Sequence, residues 1–295
     1  MRRWVLGIAL LLVAACDESG DVARLEHKLD QLAQRVDEMK AQRDDAIAAE
    51  RDATQRLDDL TRQVDELRAE LRRAPAAPAR PSTYGGRPRP DPAATYAVPI
   101  FDAPFDGPRD AKVTLVVAGE FACPYCNKAR ATLAELRRRY PDDLKIVYES
   151  FIVHPQTATT PGLAACAAHH QGKYLAMAEQ LWDVAFAQRK FDEDTMVELA
   201  GAAKLDVGRF RDDLHGSACR DQLARDQQAL AKVGVAATPS FFINGRYLSG
   251  AQPTDTFAAL IDEEARRADA AIASGIRRAD YYDHLLSTGL DRFDP

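Results

Sequence analysis

Val113-Thr114-Leu115-Val116-Val117-Ala118-Gly119-Glu120-Phe121-Ala122-Cys123-Pro124-Tyr125-Cys126 is the stretch that decides the fold of this chain. Its first six residues are apolar or β-branched and read as a buried strand. The residues from Pro124 to Tyr140 place Ala129, Leu133, Leu136 and Tyr140 on one face, the spacing of a helix packed on a core. Cys123 therefore stands where a strand gives way to a helix. Free N–H groups and the helix dipole favour a thiolate there. Pro124 suits the first helical turn, where its missing N–H would be unpaired anyway. Cys126 follows one turn later, within reach of the first sulfur. Half of a zinc site is the competing reading. A second C-x-x-C or a spaced His pair is missing, and the adjacent His169 and His170 point to different sides of a helix. The residues thus point to thiol–disulfide exchange, which implies neither a metal nor a cofactor.

Working outward, Leu144 to Tyr148 reads as a second strand, and residues 157–232 read as mostly helical, with breaks near Gly172, Phe191 and Gly208. Ser240-Phe241-Phe242-Ile243 and Arg246-Tyr247-Leu248 flank Asn244-Gly245, a hairpin signal. Thr254 to Ala273 reads as a closing helix, and Arg277 to Leu286 as one more. The fold class is α/β. Thr238-Pro239 immediately precedes the hairpin strand. A proline at that point either starts the strand in trans or, in cis, shapes a backbone edge able to pair with a peptide.

Upstream the composition changes twice. Residues 74–97 hold Pro75, Pro78, Pro81, Pro88, Pro90 and Pro92 with Gly85 and Gly86, and read as an extended linker. Residues 17–73 contain no proline and carry a heptad. Its a positions are Val22, Leu29, Val36, Arg43, Glu50, Leu57, Val64 and Leu71. Its d positions are Leu25, Leu32, Met39, Ala46, Ala53, Leu60 and Leu67. The seam predicts a coiled-coil stalk that self-associates, and a solvated single helix or spacer is the alternative. At the N-terminus, Arg2 and Arg3 precede a short apolar run, Trp4 to Ala14, that ends in Val13-Ala14-Ala15-Cys16. Residues 1–16 resemble a lipoprotein signal peptide whose Cys16 receives the lipid, and a plain secretory signal is the alternative. Asp17 after the anchor implies inner-membrane retention under the enterobacterial sorting rule. The chain then faces the periplasm from the cell envelope.

The formal net charge of -6 argues against a nucleic-acid protein, which needs a basic surface. Of 5 cysteines, the lipidated one leaves four in an oxidising compartment. Cys123 and Cys126 pair by spacing, and Cys166 and Cys219 remain as a candidate second bridge. Cys166 also reads as an ordinary small residue in an Ala-rich helix.

Residues 98–265 resemble the DsbA-like thioredoxin family. The resemblance rests on the strand before Cys123, the motif itself, Phe151 to Pro155, Ala164-Ala165-Cys166-Ala167, Gln171-Gly172-Lys173-Tyr174 and the Thr-Pro strand with Asn-Gly. It implies a thioredoxin fold with a helical insertion between the second strand and a cis-proline strand. It implies that Cys123 is the nucleophile and Cys126 the resolving thiol, with Pro124, Tyr125, Thr238 and Pro239 facing substrate. Some relatives also bridge two helices of the insertion with a disulfide. The implied partners are exported proteins with cysteines and a membrane or periplasmic redox partner. Residues 266–295 are left as a helical C-terminal extension. One position departs from the pattern. Many relatives bury an acid six residues before the first cysteine, where this chain has Val117. Glu120 is the nearest acid, and if it is exposed the Cys126 proton must travel through water or another group.

Overall fold

The computed structural model describes residues 18–73, 83–84 and 87–294. Cys16 and the lipobox lie outside the described residues, as does most of 74–86. Helix α1 (Glu18–Arg73) is one unbroken helix of 56 residues. It belongs to a unit of its own, residues 1–78. Its heptad side chains Leu29, Leu32, Val36, Met39, Leu57 and Leu60 are all exposed.

The second unit is built on a five-stranded sheet. Its strands are β1 (Phe105–Asp106), β2 (Val113–Gly119), β3 (Leu144–Ser150), β4 (Ser240–Ile243) and β5 (Arg246–Ser249), in the order β1-β3-β2-β4-β5. Only β2 and β3 run parallel, as two strands joined by a helical crossover must. That crossover is α2 (Pro124–Arg139). Strand β2 is the central one, buried on both faces, which is why its sequence is apolar without alternation. Leu115 and Val117 pack with Ala129, Leu133 and Leu136 of α2 and with Phe257 and Ile261 of helix α8 (Thr254–Ala273). Val116 and Ala118 face the other way, toward Leu230 of helix α7 (Ser217–Lys232) and Tyr282 of helix α9 (Tyr281–Thr288). The result is a three-layer thioredoxin fold.

Helix α8 runs through position 265 without a break, and the Tyr282 hydroxyl donates to the Val98 carbonyl at 2.8 Å. The C-terminal segment is therefore packed on the same sheet as the strands. The Asn244-Gly245 turn has φ of 47° and 83°, the left-handed pair that a two-residue hairpin needs. Asn244 is also a stitch. Its Oδ1 accepts from the Thr114 N–H at 2.8 Å and its Nδ2 donates to the Lys112 carbonyl at 3.0 Å, tying the turn to the start of β2.

The helical insertion between β3 and β4 comprises α3 (Pro155–His169), α4 (Tyr174–Gln180, extended by a π turn to Phe186), α5 (Glu193–Ala202), α6 (Val207–His215) and α7. The chain breaks at Gly172 and around Phe191, as the sequence predicts. It breaks again just before Gly208, between Ala202 and Val207, so that Gly208 lies in the first turn of α6. There the side chain of Asp206 accepts the Arg209 N–H, and a good N-cap outweighs the small penalty of a glycine in the first turn. Cys166 of α3 and Cys219 of α7 are joined in a disulfide inside the insertion's own core, with Phe210, Leu214 and Met177. Among the described residues, one cluster carries metal-ligand chemistry, Cys166, His170 and Cys219, but its two sulfurs are bonded to each other.

Candidate active site

Cys123 is the N-cap of α2, extended at φ -86° and ψ 120°, with Pro124 in the first turn. Its carbonyl opens the helix by accepting the Asn127 N–H at 3.1 Å. No acidic residue stands in the first turn to compete with an anion, and Arg137, Arg138 and Arg139 complement the dipole at the far end. Both motif cysteines are free thiols and both are buried. Tyr125 between them is 63% exposed, so the motif presents one aromatic side chain to solvent.

The Thr238-Pro239 bond is cis, and it lies against the motif. The Cys123 thiol donates to the Thr238 carbonyl at 3.4 Å. The Pro239 carbonyl is held by the Gly250 N–H at 2.9 Å, and Ser240 Oγ donates to the Ala237 carbonyl at 2.8 Å, which fixes the loop on the sheet.

Once the Cys123 proton leaves, a different set of partners takes over. The Cys126 thiol donates to the anion. Burial opposes it, and the Thr238 side chain and the N–H groups of Cys126 and Tyr125 add further support. Together these pull the Cys123 pKa down to about 6. Cys126 moves the other way. Donating to Cys123, burial and the charge of the first thiolate all push its pKa up. Two identical side chains thus differ in acidity because one is the hydrogen-bond acceptor and the other the donor.

A recess of about 320 Å³ opens beside Cys126, lined among others by Gly119, Phe121, Tyr174, Trp182 and Pro239. Phe121 stacks at 4.9 Å on Trp182, and Arg130 of α2 pairs with Asp183 at 2.7 Å. The insertion is thereby keyed to the active-site turn.

Position 117 is a buried valine facing α2. Glu120 is not exposed, since only 4% of its surface is accessible. Its carboxylate is committed to the segment that opens α3, where it accepts the Val153 N–H at 2.6 Å and bonds the His154 ring. His154 is a residue that sequence reasoning passed over, although it lies inside the Phe151–Pro155 stretch that carries the resemblance. Glu149 was missed as well. Neither of its carboxyl oxygens has a partner among the described residues, and burial followed by the nearby Asp226 charge raises its pKa well above the carboxylate range. By strand alternation it shares a face with Val147 and Phe151, away from α2. No spacing or periodicity marks either residue in the sequence.

Comparison with known proteins bears on the family and the fold. The family model described as thioredoxin matches residues 102–263. A thioredoxin-like oxidoreductase from Silicibacter pomeroyi DSS-3 is 26% identical, covers 56% of this chain and 93% of its own, and superposes with a TM-score of 0.52. Oxidised BdbD from Bacillus subtilis, 19% identical, covers 59% of this chain and 98% of its own with a TM-score of 0.52. Among curated sequences, the Na(+)/H(+) antiporter NhaA of Herminiimonas arsenicoxydans is 31% identical over 160 residues, which is 54% of this chain and 25% of that protein. The chain thus spans about a quarter of the length of such relatives, and ion transport is said of those proteins. No helix among the described residues here is long and apolar enough to cross a membrane. The chain belongs to the thioredoxin family, and its fold, with the helical insertion between β3 and β4, is that of the DsbA-like members.

Proposed function

We infer that this chain is a thiol–disulfide oxidoreductase that acts on cysteines of exported proteins through Cys123 and Cys126. One observation carries the reading. Two free thiols one helical turn apart, at a helix N-terminus, have their acidities driven in opposite directions beside the Thr238-Pro239 edge. In the oxidising direction the Cys123–Cys126 disulfide accepts electrons. A substrate thiolate attacks Cys123 Sγ, the S–S bond breaks, and Cys126 leaves and takes a proton. A second substrate thiolate then attacks the substrate sulfur of the mixed disulfide and releases the Cys123 thiolate. Two electrons have passed from the substrate dithiol to the pair, and a membrane or periplasmic redox partner removes them. In the reducing direction the Cys123 thiolate attacks a substrate disulfide, whose S–S bond breaks and releases the first substrate thiolate. Cys126 then gives up its proton and attacks Cys123 Sγ, the mixed disulfide breaks, the second substrate thiolate leaves and takes a proton, and the Cys123–Cys126 disulfide that results is reduced again by the redox partner. Pro124, Tyr125, Thr238 and Pro239 line the edge on which the substrate backbone lies.

The test is trapping. Cys126→Ala leaves a nucleophile without its resolving partner and should accumulate mixed disulfides with envelope proteins. Cys123→Ala should accumulate few. If neither variant traps a partner and an insulin-reduction assay does not separate Cys123→Ser from wild type, the domain is a peptide-binding module on a lipoprotein and not an enzyme.

A second reading, an oligomeric isomerase or reductase, draws on α1. Its exposed heptad residues form an apolar seam that suits a second copy of the same helix. Several active sites would then share one space at the periplasmic face, tethered through a lipid on Cys16. Light scattering on chains beginning at Asp17 and at Val98 tests this, with an oligomer expected for the first and a monomer for the second. Equal monomer masses would make α1 a spacer.

A further inference from the structure

The helical insertion holds a group of side chains for which the exchange chemistry above has no use. Cys166 lies in α3 and His170 is the residue that caps its C-terminal end, four positions on, so the two share one face of the helix. The His170 Nε2 is 3.8 Å from the Cys166 sulfur. Cys219, in the first turn of α7, completes the group, and the three ligating atoms lie within 4.8 Å of one another. The neighbouring His169 turns elsewhere and bonds the Asp102 carbonyl at 2.7 Å. The other nitrogen of His170 faces a carboxylate, with Nδ1 3.3 Å from Asp213 Oδ1 of α6. A ring proton on Nδ1 then leaves the Nε2 lone pair on the side of the sulfur. Gln222, buried on α7, brings its Oε1 to 3.2 Å from the same sulfur.

We propose that the insertion, in its dithiol form, binds one divalent ion of the zinc class through Cys166 Sγ, Cys219 Sγ and His170 Nε2. Here the two sulfurs are bonded to each other. Ion and bridge are alternatives, because the same sulfurs serve both, and the dithiol is the state of the chain before the bridge closes. Each thiol loses a proton as its sulfur joins the ion, so two protons leave and no electron moves. The spacing permits it. Zinc–sulfur bonds of about 2.3 Å in a tetrahedron hold two sulfurs roughly 3.8 Å apart. Cα atoms 5.6 Å apart reach that separation by side-chain rotation. Gln222 Oε1 offers a fourth donor.

Charge selects the ion. Two thiolates and a neutral imidazole cancel a divalent cation, which leaves a neutral unit in the core that holds Met177, Phe210 and Leu214. A monovalent copper ion leaves one negative charge buried there. Magnesium and calcium take oxygen ligands, whereas thiolate with imidazole suits zinc. The sulfurs are buried and His170 is exposed, which gives the ion its way in. Asp213 orients the ring as carboxylates behind metal-bound histidines do. The bound ion joins α3 to α7 across the same 53 residues that the bridge spans, so the insertion is cross-linked in either state. None of this depends on disulfide exchange at Cys123.

The test uses the full chain carrying Cys16→Ser, Cys123→Ser and Cys126→Ser, which leaves Cys166 and Cys219 as its cysteines. The protein is reduced with a phosphine, desalted without oxygen and titrated with cobalt(II), whose charge-transfer and d–d bands report thiolate ligation. One cobalt per chain should bind with the bands of a tetrahedral thiolate site, and zinc should displace it. The oxidised protein should give no such bands. Asp213→Asn should weaken binding by about tenfold, as the loss of an outer carboxylate does. His170→Ala, which removes a ligand, should weaken it further, and His169→Ala should leave it unchanged. A reduced chain without thiolate bands, or an affinity that His170→Ala does not alter, would overturn the proposal. If the reduced chain loses its tertiary structure without metal, near-UV circular dichroism becomes the readout. Zinc should then restore the folded signal in that chain and not in its His170→Ala variant, and a failure to restore it would equally refute the site.

Discussion

Cys123 and Cys126 are free thiols three residues apart, whereas Cys166 and Cys219 are bonded across 53 residues. Burial does not separate the two pairs, because the four residues are 4%, 7%, 4% and 0% exposed. What separates them is where each pair's partner lies and which donors face the sulfur. Cys123 sits at a helix mouth with N–H groups, the Thr238 side chain and a second thiol turned toward it. Cys166 sits mid-helix and Cys219 in a helix's first turn, and their sulfurs are bonded to each other inside the insertion's core, with His170 Nε2 at 3.8 Å and Gln222 Oε1 at 3.2 Å from the Cys166 sulfur. The first pair stands at a helix mouth with donors turned toward one sulfur, and the second locks two helices of the insertion together.

The sharpest way to break this comparison is to titrate the reduced protein. Alkylation of Cys123 should show a midpoint near pH 6, and Cys126 should resist labelling well past pH 9. A stability consequence accompanies it. Because folding lowers the Cys123 pKa from about 9 to about 6, the thiolate stabilises the reduced fold fully above the unfolded value. That contribution is lost as pH falls through about 6. Denaturant midpoints of reduced wild type and Cys123→Ser should therefore diverge as pH rises from 6 toward 9. Coincident titration of both thiols would erase the distinction drawn above.

Next in size is the insertion bridge. Replacing Cys166 and Cys219 together with Ala opens a 53-residue loop. The chain-entropy model sets the loss at up to about 4 kcal/mol. Urea unfolding should show it as a lower midpoint, while the Cys123 titration stays in place. A matching shift in Cys123 acidity would mean that the insertion tunes the site and is more than its scaffold.

A smaller effect is expected at Thr238. Thr238→Ala removes one donor to the Cys123 anion and should raise its midpoint by about one pH unit or less, the worth of a single hydrogen bond to a charged group. Exchange should persist. The smallest is Tyr125→Ala, at a side chain 63% exposed, which should leave thermal stability within about 0.5 kcal/mol of wild type. Any loss it causes in exchange rate with a peptide substrate then reads directly as lost substrate contact.

Much of this architecture was legible before any coordinates. The run from Val113 to Ala118, the helix after Cys123, the Asn244-Gly245 turn and the closing helix Thr254–Ala273 all lie where the sequence puts them, because each is specified by neighbours a few residues away. The break expected near Gly208 falls at residues 203–206, because the cap at Asp206 starts the next helix two residues before the glycine. Strand ends moved by one or two residues, β3 extending to Ser150 where its pairing with Gly119 continues.

Sequence by itself determined which residues alternate, which cap, which turn, and that two sulfurs stand one turn apart at a helix start. These are short-range properties, set by backbone sterics, hydrogen-bond spacing and hydrophobic period. The tertiary structure alone decided that Thr238 meets Cys123 across 115 residues, that Glu120 turns inward to His154 across 34, and that Cys166 finds Cys219 across 53. Those meetings depend on how the layers pack around β2, and the free energy that brings them together is spread over three cores and written in no single stretch of the chain.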